Sequence, residues 1–249
     1  MTVSTRRRAG TPPRLGLLGG FRLDVDGTAV ALPIHAQRVL VYVSLVQPGR
    51  TAHDRAQIAE RLWGDVPAER SQASLRTALW RIRQADPNVV GASRDTVWLD
   101  PAVEVDVRRC VTQAGRLVAA DGELRPGDAD LSVLRGELLP RWEEDWLLLE
   151  RERVRQVQIH ALEALARRLC RLGRHLEAIE AAFAAIDGEP LRETAQAVLI
   201  DIFLAEGNVA QARQQFDRYA ALLWSELAIA PSNELTNRVG VRAGRGAPA

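Results

Sequence analysis

Between Arg70 and Arg83 the chain sets four arginines (Arg70, Arg76, Arg81 and Arg83) beside Ser74, Thr77 and Trp80, with no carboxylate among them. Each guanidinium is a planar fork of donors that fits phosphate oxygens or the O6/N7 edge of guanine. Hydroxyls add single hydrogen bonds, and an indole adds an apolar face. Arg94 brings one more cation from a short turn further on. The chemistry on offer is binding of anions and base edges, not bond breaking.

Other chemistries lack their residues. The four histidines, His35, His53, His160 and His175, form no His-x-x-x-His pair and are read as remote from cysteine. All 33 basic residues are arginine, so a phosphate loop ending in Gly-Lys has no lysine to use. There is no Gly-x-Ser-x-Gly elbow, and Leu17-Leu18-Gly19-Gly20 precedes a strand pattern rather than a helix. No catalytic residue, metal ligand or cofactor site is therefore expected, and the chain is read as a non-enzyme. Two cysteines, Cys110 and Cys170, make no disulfide framework and suit a reducing, cytoplasmic compartment. No apolar run approaches the roughly 18 residues of a membrane span, so no membrane partner is expected.

The net charge of +1 hides a split. Residues 1–105 carry 14 arginines against 10 carboxylates, whereas residues 106–249 carry 19 against 22. A basic front and an acidic back fit a nucleic-acid module joined to a protein-binding module. Arg6, Arg7 and Arg8 lie in an opening stretch with no apolar core, read as a disordered basic tail or a phosphate-touching arm.

Something must position the arginines. Leu15–Leu18 reads as a strand, and Phe21, Leu23 and Val25 alternate with polar residues at a period of two. Asp26-Gly27 predicts a type I′ hairpin turn, with Val30 and Leu32 resuming the alternation. Val39, Leu40, Val43 and Val46 then form a helical stripe closed by Pro48-Gly49. Thr51 with Asp54 suggests a capping box opening a helix that carries Ile58, Leu62 and Trp63. Pro67 opens a third helix over 68–84. On it Leu75, Leu79 and Ile82 fall within about 60° of arc, leaving the arginines on the other face. Val89-Val90 and Thr96–Leu99 predict a hairpin tipped by Arg94. Sheet, three helices and hairpin is the order of a winged helix of the response-regulator output type.

Gln37-Arg38-Val39-Leu40, Leu62-Trp63-Gly64-Asp65 and the run from Ser74 to Arg83 resemble the DNA-binding half of the Streptomyces antibiotic regulatory protein family. The resemblance continues through Glu104-Val105-Asp106 and Pro190-Leu191-Arg192-Glu193 to Glu226–Pro231, and so covers residues 14 to 235. It implies a winged helix whose Arg70, Ser74, Arg76, Thr77, Trp80, Arg81, Arg83 and Arg94 bind repeated sites in double-stranded promoter DNA. It further implies a transcriptional activation domain that engages RNA polymerase holoenzyme, a homodimer on DNA, and control of secondary-metabolite genes. Two departures stand out. Thr96-Val97-Trp98-Leu99 replaces a Gly-Tyr-Arg-Leu type strand, which predicts a wing of altered shape. Trp80 replaces a small polar residue, which predicts a different base preference.

From Asp106 onward the pattern is helical, and it repeats. Gly173 and Gly207 are 34 residues apart, and Leu169/Phe203, Leu165/Leu199, Ala178/Ala212 and Ala182/Phe216 keep the same spacing. Thirty-four is the tetratricopeptide period, with glycine making the turn between paired helices. A long helix over 144–172 precedes the two units. Trp142 and Trp146, flanking Glu143–Asp145, are read as packing residues or as a partner hot spot. The expected fold is mainly α, with a tail over 1–13, a winged helix over 14–103, an all-α repeat domain over 104–235 and a tail over 236–249. Two other readings keep the same fold: an interaction adaptor whose winged helix has lost DNA, and a ligand sensor using the repeats.

Overall fold

The structure, a computed structural model, describes residues 11–45, 52–119 and 124–240. The readings of Arg6–Arg8, Val46, Pro48-Gly49, Thr51 and the 241–249 end of the tail lie outside the described residues. The chain divides into two compact units. One holds the described residues up to Arg109 plus Gly136–Arg151, and the other holds Cys110–Arg135 and Glu152 onward.

In the first unit, strands β1 (Arg14–Gly16), β2 (Arg22–Val25) and β3 (Thr28–Ala29) form an antiparallel meander. Leu15 faces Leu23 across it, and both are buried. Asp26 and Gly27 take φ of 48° and 78°, the paired positive values of a type I′ turn. The first strand is shorter than predicted because the amides of Leu17 and Leu18 leave the sheet. Both donate to Oδ2 of Asp106, at 2.8 and 2.9 Å.

Helices α1 (Ile34–Leu45), α2 (Arg55–Leu62) and α3 (Ala68–Ala85) follow, with Val39, Leu40, Ile58, Leu75 and Ile82 forming the shared core. Asp54 caps α2 by accepting the Gln57 amide at 3.0 Å, so Asp54 is the cap itself and not the reciprocal partner of a cap at Thr51. Strand β4 (His53–Asp54) pairs with β6 (Thr96–Leu99), which also pairs with β5 (Val90–Ala92). Strand β7 (Glu104–Val105) pairs in parallel with β1.

The Gly136–Arg151 stretch is tied into this unit by its backbone. Gly19 donates to Glu137 O at 2.8 Å and Leu139 to Leu17 O at 3.0 Å. Glu144 receives the Arg38 guanidinium, Nε to Oε1 2.7 Å, and the indole N–H of Trp146 at 2.8 Å. Trp146 is buried edge-on against Tyr42, and Trp142 stacks on Phe21. The two tryptophans pack; they are not a free surface pair.

Helix α4 (Asp106–Ala119) and helix α5 (Asp145–Arg171) begin in the first unit and run into the second. The second unit continues with α6 (His175–Gly188), α7 (Glu193–Ala205), α8 (Val209–Leu227) and α9 (Asn233–Arg238). The two repeat turns are the same device. Gly173 and Gly207 sit at φ of 73° and 77°. The next amide in each case reaches back six residues' span, Arg174 to Leu169 O at 2.9 Å and Asn208 to Phe203 O at 2.8 Å. Ala178 and Ala212 are fully buried, since only a small side chain admits the neighbouring helix so closely.

Cys170 Sγ lies 4.0 Å from His175 Nδ1, which corrects the expectation that no histidine is near a cysteine. The contact does not activate the thiol: burial, then Asp201 and Glu206, push its pKa up.

Helix α8 ends on Ala228 at φ 55°, where a side chain is strained, and Ala228 is exposed. Ala228→Gly is expected to raise stability by about 1 kcal/mol, read as a higher urea midpoint. No gain would mean that this end frays in solution.

Candidate nucleic-acid interface

Helix α3 owes its orientation to one buried stripe. Ser71, Leu75, Ala78, Leu79 and Ile82 are inside, which leaves the opposite arc to water. Ala73, Thr77, Trp80 and Gln84 run along the outermost line at spacings of four, three and four. Arg70, Ser74 and Arg81 flank this line on one side, and Arg76 and Arg83 on the other. All four arginines are exposed, whereas Ser74 is half-buried. Gln84 was not singled out from the sequence, yet its spacing from Thr77 and Trp80 already placed it there.

Among the described residues, Arg70, Arg76, Arg81, Arg83 and Arg94 have no carboxylate partner. Several arginines of the second unit are instead held by carboxylates. There Arg116 pairs with Asp128, Arg155 with Glu152, Arg174 with Glu177, Arg192 with Glu163 and Arg238 with Asp201. Cations held by internal carboxylates contribute little to an external field; an unneutralised row on one helix face attracts a polyanion.

Two side chains are already engaged. Thr77 Oγ1 donates to Ala73 O at 3.0 Å, so its hydroxyl must rotate before it can donate to a phosphate. The Arg81 guanidinium lies over the Trp80 ring, Cζ 4.8 Å from its centroid.

The hairpin β5–β6 carries Arg94 exposed at its tip. Ser93 organises the turn, its amide donating to Thr96 O at 2.8 Å and its hydroxyl lying 2.8 Å from that of Thr96. Arg55, at the start of α2, was missed by sequence reasoning. Its amide donates to Asp95 O at 2.9 Å and its Nη1 to Ser93 O at 3.3 Å, which moors the tip. Trp98, where the sequence departs from the Gly-Tyr-Arg-Leu pattern, pairs across the hairpin with Gly91. A Cβ on Gly91 would stand 2.1 Å from the indole, so the ring lies on the bare backbone.

Comparison with known proteins supplies the wider setting. The family model for the bacterial transcriptional activator domain matches residues 105–239. The regulatory protein AfsR of Streptomyces coelicolor is 27% identical over 260 residues, spanning 95% of this chain and 26% of that protein. The chain thus covers about a quarter of that relative's length. The structure of Mycobacterium tuberculosis EmbR in complex with a low-affinity phosphopeptide superposes with a TM-score of 0.67 at 20% identity. It covers 92% of this chain and 64% of that one, a likeness of fold. No helix among the described residues is long and apolar enough to cross a membrane.

Proposed function

The chain belongs to the bacterial transcriptional activator domain family, as its resemblance to the Streptomyces antibiotic regulatory proteins implied, and on that premise we propose that it is a DNA-binding transcriptional activator. Helix α3 enters the major groove of promoter DNA, Arg81 and Gln84 face base edges, and Arg70, Arg76, Arg83 and Arg94 hold phosphates. The chain binds repeated sites as a head-to-tail pair, and the helical repeats engage RNA polymerase holoenzyme at secondary-metabolite genes. The observation that carries this reading is the row of exposed arginines without carboxylate partners on α3 and the hairpin tip.

The test is genome-wide occupancy of the tagged protein beside its Arg76→Ala/Arg81→Ala variant, followed by anisotropy titrations on the recovered sites. Discrete promoter peaks sharing a repeated motif, absent for the variant, are expected. In titration Arg81→Ala lowers affinity roughly tenfold. Replacing a phosphate-binding arginine such as Arg70 instead reduces the slope of log K against log salt by about one. Equal affinity of wild type and double variant would sink the assignment. A flat profile with one stable protein partner would put the adaptor reading in its place.

A further inference from the structure

Trp80 is a large apolar side chain left 52% exposed at the centre of a helix face that is otherwise polar except for Ala73. One indole face carries the Arg81 guanidinium at 4.8 Å. With no carboxylate between Arg70 and Arg83, and none partnering Arg81 among the described residues, the ring is what orders this arginine. A free arginine gives up rotamer freedom when it docks, whereas one already stacked has less to lose. A guanidinium that stacks by its π-face keeps its in-plane N–H fork available to acceptors.

We infer that Trp80 and Arg81 form one reading unit for a thymine adjoining a guanine, a deepening that rests on α3 entering the major groove. The fork matches guanine O6 and N7, two acceptors side by side in that groove. The exposed indole edge is apolar except for a single donor, and the one apolar group that bases present there is the thymine 5-methyl. Trp80 is thus a positioning residue for Arg81 that also covers the methyl of the next base. A small polar side chain at this position would do neither, so the pair narrows the range of sites.

In vitro selection from a random duplex library, followed by competition binding with deoxyuridine in place of the selected thymine, tests this. The wild type is expected to enrich a thymine beside a guanine in each half-site, and to lose about threefold in affinity when that thymine methyl is removed. Trp80→Ala binds about tenfold more weakly, relaxes selection at both bases and no longer distinguishes thymine from uracil. Trp80→Phe, which keeps an aromatic face, retains most of the preference. The salt slope of Trp80→Ala matches the wild type, because no phosphate contact is lost. The exposed position makes Trp80→Ala a folded variant, checked by its melting temperature. Unchanged selection by Trp80→Ala, or wild-type indifference to the methyl, overturns the reading unit. If binding still depends on Arg76 and Arg81 in that case, groove entry by α3 stands without it. If the wild type selects no duplex at all, both fall.

Discussion

Glu163→Ala is expected to lower the unfolding free energy of the helical repeats by about 2 kcal/mol, since it removes a buried carboxylate to which the half-buried Arg192 donates. The Glu163 side chain on α5 is 4% exposed, and its Oε1 receives both Arg192 Nε and the Thr194 hydroxyl at 2.7 Å. Arg167 reaches Oε2 at 3.4 Å from one turn along the helix. Removing the carboxylate leaves Arg192, itself 19% exposed, with Gln156 at 3.2 Å, the His160 ring at 3.3 Å and the more distant Glu189 at 4.0 Å. Glu163→Gln keeps an acceptor and loses the charge, so an intermediate loss is expected. Replacing both Glu163 and Arg192 by apolar residues of similar volume restores much of the stability, because the half-buried cation goes with its carboxylate and Arg167, which also loses that partner, is exposed to water. Urea unfolding followed by helical circular dichroism, with hydrogen exchange on α5 and α7 as a local readout, measures the series. A loss below about 1 kcal/mol for the alanine variant would show that water reaches this pair freely.

The same cluster shows what the sequence could and could not disclose. Pro190-Leu191-Arg192-Glu193 was visible as a motif, but nothing in it said that Arg192 reaches 29 residues back to Glu163 or that Tyr219 donates to Leu191 O. Periodicity reports which face is buried, not which polar partner a side chain meets. Where local chemistry dictates geometry, the reading was specific. Asp26-Gly27 forces a turn of given handedness, and the two glycines at a 34-residue spacing each close a helix in the left-handed region. The outward arc of α3 followed from Leu75, Leu79 and Ile82. Strands β4 and β7 were invisible because two residues carry no alternation and their partners lie far along the chain. The return of Gly136–Arg151 to the first unit was hidden for a related reason. It rests on backbone bonds at Leu17 and Gly19 and on the Arg38–Glu144 pair, 106 residues apart. Arg38 and Trp63 stood in the quoted family blocks, yet their contacts are internal: Arg38 to Glu144, and the Trp63 indole to His35 Nδ1 at 3.3 Å. A motif residue can be specific to a fold without touching any ligand.

The altered wing is where that distinction bears most on function, and Gly91→Val is expected to expose it, destabilising the first unit by about 3 kcal/mol. Gly91 and Trp98 face each other across β5 and β6, and three indole atoms lie within 2.4 Å of where a Cβ would stand. A branched side chain therefore cannot be added while the ring stays in place. Either the indole swings into water and its burial is lost, or the strands separate and loosen the turn that Ser93, Thr96 and Arg55 hold. A double-mutant cycle decides which residue takes the strain. In a Trp98→Ala background Gly91→Val is expected to cost little, because the opposing ring is gone and valine suits a strand. Additive losses in the cycle would instead place the clash with the backbone. DNA affinity provides the second readout, since the hairpin presents Arg94. If Trp98 on Gly91 does for this wing what a Gly-Tyr pair does in relatives, Gly91→Val lowers affinity about as much as Arg94→Ala, and the two losses do not add. If Gly91→Val destabilises the unit while leaving affinity untouched, the hairpin serves the fold alone, and recognition rests on α3.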